Sequence, residues 1–375
     1  MVQERFAPSP QTVAAFVATP GATRSGRRRV CCSLGKRRQS APLPAAVELN
    51  YASTWEDILG VALARKDELR PAHFSTALLR VAKLAMRNPL KGEEERICGD
   101  DRLRKVLELA FEDISGSGLQ NVSNAVWASA LLQAKSVEGS VVEALQFLGK
   151  SCASMRPEDI TSVAWSAERL KLANEVPQAI QNFVRNLPFR VLQGILTDLD
   201  LSVERLEDEV VLNRDMIRLN GRKLGESRLT AWQHERGRPF LYSGKRMEGP
   251  TFSPAVRAVA KRLAELTGVK YDGCLINYYA DGQTGMRYHS DPDQDTLWTT
   301  DTAVVSIGDT RQFILRRIDD FSSRHIYYVS GGDVVVMSDD CQEKYQHCIK
   351  VESNAEDCGP RMSLVYKRSL DVYTL

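Results

Sequence analysis

From residue 303 onward the sequence alternates short apolar runs with glycine turns, and few architectures accept that pattern. Runs at 303–307 and 311–318 flank Gly308-Asp309, runs at 325–329 and 333–337 flank Gly331-Gly332, and a last run spans 361–367. Many short strands separated by turn signals predict a barrel or a jelly-roll sandwich. A single helix is expected ahead of them, over 254–266, with Pro254 near its start, where a missing backbone N–H costs little. It should pack outside the strands. Further upstream, Met216–Leu219 reads as a strand running into an Asn220-Gly221 turn, and 206–211 is a charged stretch.

The region before residue 188 has a different texture. Residues 74–84 align with 122–132 and again with 160–170, at offsets of 48 and 38. Small and apolar residues recur at helical spacing, and a bulky residue (Leu79, Trp127, Trp165) returns at the same place each time. That is the pattern of stacked helix-turn-helix units, none of which covers its own apolar face alone. Ser-Asn-Ala-Val-Trp-Ala and Thr-Ser-Val-Ala-Trp-Ser resemble the core of octotricopeptide-type repeats, a family of organellar RNA-binding proteins. The resemblance implies a concave surface that docks RNA. An ordinary amphipathic helical domain explains the same spacing, and in both readings the tryptophans belong to the core.

No acidic residue occurs between Glu4 and Glu48, and that interval holds eight Arg or Lys residues, including Arg27-Arg28-Arg29 and Lys36-Arg37-Arg38. Such a segment cannot bury a core and should be disordered. Its basic, hydroxylated, acid-poor character reads as an organellar transit peptide over 1–50, plastid in preference to mitochondrion. A plain basic tail on a nuclear or cytoplasmic protein is the other reading. No run of 18 apolar residues is present, so no membrane span is expected. The eight cysteines form no Cys-x-x-Cys pair, which argues against a structural zinc site and a disulfide framework.

The chemistry concentrates in 277–291, which ends in His289-Ser290-Asp291. On an extended segment, side chains two apart point the same way. His289 and Asp291 therefore offer an imidazole and a carboxylate to one point, two-thirds of a facial triad for non-haem Fe(II). Alone, such a pair is weak evidence, because most are surface polar residues. A third ligand must come from His73, His234, His325 or His347, and His347 follows a strand-like run.

The wider pattern carries more. Arg228-Leu-Thr-Ala-Trp232, Phe240-Leu-Tyr242-Ser-Gly244, Asn277-x-Tyr279-x-x-Gly282, His289-x-Asp291, Ser306-x-Gly308-x-x-Arg311-x-Phe313, His347 and Arg361 occur in this order. Together they resemble the AlkB family of Fe(II)/2-oxoglutarate dioxygenases, most nearly its DNA- and RNA-repair members, over about 155 residues. The resemblance implies an α+β chain whose C-terminal domain, 188–375, is a double-stranded β-helix (jelly roll), preceded by the all-α helical-repeat region at 51–187. It implies His289, Asp291 and His347 as Fe(II) ligands and catalytic residues, with 2-oxoglutarate and O2 on the open face. It places Asn277, Tyr279 and Arg361 at the co-substrate. The family's second cation, six positions on, is here Lys367, and Ser363 stands where Asn is usual. Strand geometry puts 361 and 367 on one face and Arg368 on the other, unless a bulge shifts the register.

The resemblance also implies Asp293, Tyr242 and Trp232 as residues at the substrate base. Asp293 is equally a turn cap in Asp-Pro-Asp, and Trp232 equally a packing residue. Between Arg214 and Glu248 there are nine Lys or Arg against four Asp or Glu, a basic rim suited to a phosphate backbone or else a solvated loop. The expected activity is oxidative demethylation of alkylated bases in single-stranded DNA or RNA by a monomer, releasing succinate, CO2 and formaldehyde. Two alternatives stand beside it: hydroxylation of RNA or protein, and an RNA-binding repeat protein with an inactive barrel.

Overall fold

The computed structural model describes residues 43–87, 93–219, 222–242, 245–292, 296–352 and 358–370. Leu43–Leu375 is one compact unit. Residues 1–42, and with them most of the expected transit segment, lie outside the described residues. Among those residues no helix is long and apolar enough to cross a membrane.

The chain begins with helices: α1 (Ala45–Tyr51), α2 (Trp55–Ala64), α3 (Pro71–Arg87), α4 (Glu93–Cys98), α5 (Asp101–Phe111), α6 (Leu119–Leu131), α7 (Glu138–Lys150), α8 (Pro157–Arg169) and α9 (Gln178–Arg185). Helix α1 falls inside the stretch expected to lack structure, and it buries Ala45 and Leu49. The three aligned segments become α3, α6 and α8, which lie side by side, while α5, α7 and α9 form a second row against them. The alignment has a packing cause. The repeated bulky position places Trp127 and Trp165 in the core, 6% and 3% exposed, and Leu79 against it. Local signals set the ends. Thr54 caps α2 by accepting from the backbone N–H of Asp57, Asp100 caps α5 through Arg102, and Pro157 opens α8.

The second part contains β1 (Phe189–Leu192), α10 (Val203–Glu209), β2 (Met216–Leu219), β3 (Arg222–Gly225), β4 (Leu229–His234), β5 (Phe240–Tyr242), β6 (Lys245–Met247), α11 (Pro254–Thr267), β7 (Gly273–Tyr279), β8 (Met286–His289), β9 (Trp298–Gly308), β10 (Arg311–Arg317), β11 (Arg324–Val329), β12 (Val334–Met337), α12 (Cys341–Lys344), β13 (Tyr345–Ile349) and β14 (Arg361–Ser369). A six-stranded sheet has the order β1-β12-β9-β14-β7-β4, and a four-stranded sheet has the order β11-β10-β13-β8. All pairings are antiparallel. From β7 onward the chain changes sheet at every step except β10 to β11, a mixed helix and sheet arrangement consistent with a jelly roll.

Each expected apolar run is a strand, and the expected outer helix is α11. Of the charged stretch at 206–211, residues 206–209 form the end of α10. Ser202 caps that helix, and Val203 and Leu206, three apart, are buried on one side of it. The Asn220-Gly221 turn lies outside the described residues, but β2 and β3 on either side pair as a hairpin.

Alternation along β14 decides which residues face where. Met362, Leu364 and Tyr366 pack outward under α11, where the Tyr366 hydroxyl donates to the Val256 carbonyl at 2.8 Å. Arg361, Ser363, Val365 and Lys367 therefore face the space between the sheets. The only shift against β9 comes after Lys367, so these four keep one face, and Arg368 is exposed on the other.

The helical part is not separable from the sheets by packing. Strands β1 and β11 are edges of the two sheets, and they meet at the helical layer, where Phe189 lies edge-on to His325 at 5.1 Å. Helix α8 runs against β11, Thr161 Oγ1 is 2.9 Å from His325 Nδ1, and Trp127 contacts Tyr328 at 5.6 Å. One continuous apolar core takes in both parts. The helices thus cover sheet edges that would otherwise offer unpaired backbone groups.

Three outcomes follow from this packing. Thermal unfolding should show one cooperative transition for both parts, and a fragment beginning at 188 should aggregate; two separate transitions would contradict the shared core. Trp127→Ala should cost about 3–5 kcal/mol, measured by denaturant unfolding. His325 adds a pH dependence. Burial pushes its imidazole down to about 4, whereas the unfolded chain takes up that proton near 6.5. Stability should therefore fall as pH drops from about 6.5 to 4, and His325→Gln should flatten the fall.

Candidate active site

His289 ends β8 and His347 is the middle residue of β13, and the two are direct neighbours across the pair. Asp291 stands two residues past His289. Among the described residues these three form the cluster able to hold a metal, with ligand atoms all within 4.8 Å of one another. Asp291 Oδ1 is 3.7 Å from His289 Nε2 and 3.8 Å from His347 Nε2. The structure thus brings together three residues separated by up to 58 positions, and it does so through one β-pair.

The donor set is in ligating form. His289 Nδ1 lies 2.8 Å from the Arg287 carbonyl, so that nitrogen carries the proton and Nε2 is left as a donor to metal. Burial, reinforced by His289, pushes His347 down to about 3, so its imidazole is neutral. The Phe313 ring stacks flat on it at 5.5 Å. Burial alone would raise the Asp291 carboxyl, but Lys367 and the two imidazoles override it and hold the group well below the usual carboxylate range. Lys367 Nζ donates to Asp291 Oδ2 at 2.9 Å, leaving Oδ1 toward the histidines. The backbone N–H of Asp291 donates to Gln342 Oε1 at 2.8 Å. These residues fit a divalent iron with one protein face and one open face.

The cleft beside the triad is lined by both sheets. Asn277, Tyr279, Val304, Ser363 and Val365 come from the large sheet, and Met286, Phe313 and Ile349 from the small one. Asn277 Oδ1 accepts from Arg228 Nε at 2.8 Å. Arg361 is fully buried. Its Nη1 donates to Ser363 Oγ at 2.6 Å and its Nη2 to Ser306 Oγ at 2.8 Å, but its Nε has no partner. Burial pushes this guanidinium down to about 10, still charged at neutral pH. A buried cation with an unused donor beside an open cleft fits a carboxylate such as that of 2-oxoglutarate.

Other expected residues are placed differently. Trp232 does not line this cleft. It stacks on Phe240 at 4.8 Å, meets Trp298 edge-on at 5.5 Å and donates to the Arg238 carbonyl at 2.7 Å. Asp293 and the Tyr242 side chain lie outside the described residues. Of the remaining histidines, His73 accepts from the Arg70 N–H, His234 is buried against Ser369, and His325 sits at the helix–sheet contact. Much of the basic rim is internally paired: Lys245 with Asp215 and Glu226, Arg228 with Glu226, Arg236 with Asp272, Arg246 with Glu248. Gln342 and Ser306 had no role assigned from sequence. Gln342 lies 51 residues from Asp291, from whose backbone N–H it accepts, and no local pattern marks it.

A family model described as 2OG-Fe(II) oxygenase superfamily matches residues 190–367, the stretch that builds this triad and cleft. The chain belongs to that superfamily. An uncharacterized protein R406 of Acanthamoeba polyphaga mimivirus is 33% identical over 186 residues, 48% of this chain and 93% of that protein. Alpha-ketoglutarate-dependent dioxygenase alkB homolog 3 of Homo sapiens is 28% identical over 151 residues, 38% of this chain and 51% of that protein. DNA oxidative demethylase ALKBH2 of Bos taurus is 26% identical over 141 residues, 36% of this chain and 50% of that protein. This oxygenase thus spans about half the length of its two AlkB relatives. It is an AlkB-like Fe(II)/2-oxoglutarate-dependent dioxygenase, with Fe(II), 2-oxoglutarate and O2 as its reactants and cofactor.

The Lys367 contact generates a test. Lys367→Met leaves a buried carboxylate without its cation, and the metal-free variant should lose about 3 kcal/mol. Added Mn(II) should then stabilise the variant more than it stabilises wild type, because the ion supplies the missing charge. Thermal unfolding with and without metal checks this, and an equal metal shift in both proteins would contradict the role given to Lys367.

Proposed function

We propose that this dioxygenase removes N-linked methyl groups from nucleic-acid bases by oxidation. The observation that carries the reading is a complete His-Asp-His triad with a buried arginine beside it, in a chain similar to DNA oxidative demethylase ALKBH2. When bound, Fe(II) with 2-oxoglutarate and O2 supplies the oxidising power to insert one oxygen atom into a methyl C–H bond. His289, Asp291 and His347 would hold the ion by one face. Arg361 and Asn277 would orient the co-substrate, and Val304, Phe313, Ile349 and Val365 would keep water from the cleft.

A base nitrogen bearing –CH2OH falls apart to formaldehyde and N–H. One methyl group, O2 and 2-oxoglutarate thus become formaldehyde, succinate and CO2. The base must leave its stack, at a cost of a few kcal/mol, least in single strands. Asp293 and Tyr242 are the residues proposed for base contacts.

RNA is favoured over DNA by one feature. The aligned segments form neighbouring helices, α3, α6 and α8, which supports an octotricopeptide-like scaffold appended to the oxygenase. The acid-poor N-terminal stretch supports an organelle, plastid first, as the place of action.

The test uses the full chain, since the helices share the core. Single-stranded DNA and RNA carrying 1-methyladenine or 3-methylcytosine are incubated with Fe(II) and 2-oxoglutarate. Equimolar formaldehyde and succinate, lost in His289→Ala, are expected, with RNA turned over faster. Release of succinate that never depends on the methylated base would overturn the proposal.

A further inference from the structure

We propose that Arg311 and Arg361 together seat the distal carboxylate of 2-oxoglutarate, which leaves Lys367 to the metal ligand Asp291. The proposal rests on the cleft being the co-substrate site and is independent of the nucleic-acid substrate.

The topology brings the two guanidinium groups to one end of the sandwich. Arg361 opens β14 opposite Gly308 on one side and Tyr279 on the other. Gly308 ends β9 in the turn that carries the chain into the other sheet, and Arg311 is the first residue after it, opening β10. That turn holds Gly308 at φ +86°, and a Cβ there would meet the Pro360 carbonyl oxygen at 2.5 Å. Arg311 donates to the Asp281 carbonyl, two residues past Tyr279, while Arg361 lies over the Tyr279 ring at 5.6 Å. Arg311 shares its strand face with Phe313, which lines the cleft.

Both cations are fully buried, and among the described residues neither pairs with an anion. Their acceptors are neutral: a carbonyl for Arg311 and two serine hydroxyls for Arg361. Arg311 Nε and Nη1 and Arg361 Nε have no hydrogen-bond partner among the described residues. Asp309, two residues before Arg311, and Asp281, whose carbonyl meets Arg311, turn their carboxylates to backbone. Asp309 Oδ2 accepts from Gly359 N at 2.5 Å, and Asp281 Oδ1 from Gln283 N at 2.8 Å. Two adjacent buried like charges with unused donors are costly unless an anion joins them.

Lys367 cannot serve this seat. It stands six residues from Arg361 on β14, about 20 Å along the strand, and is engaged at the metal end. Arg361 meets the cleft lining at Ser363 and Lys367 meets it at Asp291, so the two cations serve different parts of it.

The test measures binding, without turnover, to the Mn(II)-loaded full chain by calorimetry. The two ligands are 2-oxoglutarate and 2-oxopentanoate, which lacks the distal carboxylate. Arg311→Gln should weaken 2-oxoglutarate by roughly tenfold or more and leave 2-oxopentanoate within twofold. The metal-free variant should melt no lower than wild type, because a like-charge repulsion is removed. If Arg311→Gln does not fold, Arg311→Lys, which keeps the charge and loses the fork, should show a smaller loss with the same ligand selectivity. Unchanged 2-oxoglutarate affinity, or equal weakening of both ligands, would overturn the seat. Failure of wild type to bind 2-oxoglutarate at all would instead overturn the reading of the cleft.

Discussion

A carboxylate taken out of water must be met by positive charge, and the architecture around Asp291 follows from that need. Its side chain is 8% exposed and lies against two imidazoles and an ammonium. Those partners come from β8, β13 and β14, so both sheets must be in register before the charge is accommodated. A metal held at Oδ1, on which the two histidine Nε2 atoms converge, would add positive charge to that of the Lys367 ammonium. The iron site is therefore continuous with the fold and shares its electrostatic balance.

The chain treats its other buried charges in two ways. Near β4 and β6, Glu226, Arg228, Lys245 and Asp215 pair with one another, and Arg228 also donates to Asn277. At the turn between β9 and β10, Arg311 and Arg361 have only neutral acceptors. The contrast separates charge that serves stability from charge held ready for an anion. It also explains why a Lys at position 367 is compatible with an oxygenase, since a point charge suffices beside one carboxylate oxygen and a fork is not needed there.

The helical region contributes to the catalytic part through packing. Its row of α3, α6 and α8 seals the side where β1 and β11, the edges of the two sheets, converge. The neutral His325, held by Thr161 and flanked by Phe189, is part of that seal. This coupling makes the helices a structural requirement of the oxygenase whatever they bind, and it means one face of the row is already occupied.

The strands, the outer helix and the metal pair were legible in the sequence because each depends on local periodicity. Alternation at 303–307 and 361–367, glycine at the turns, and two ligands spaced by one residue are all read within a few positions. The ordered motifs added the family and, with it, His347 and Arg361. Helix α10 was hidden because its charged residues mask two buried apolar ones. Strand β1 was hidden because four residues carry little pattern. What only the tertiary structure decided are relations across long separations: Lys367 with Asp291, Gln342 behind Asp291, Arg228 on Asn277, Trp232 in an aromatic cluster away from the cleft, and Arg311 beside Arg361. Local sequence determines which face of a strand a side chain takes. The partner it meets there depends on which strands pair and where the chain changes sheet, and no local spacing encodes that.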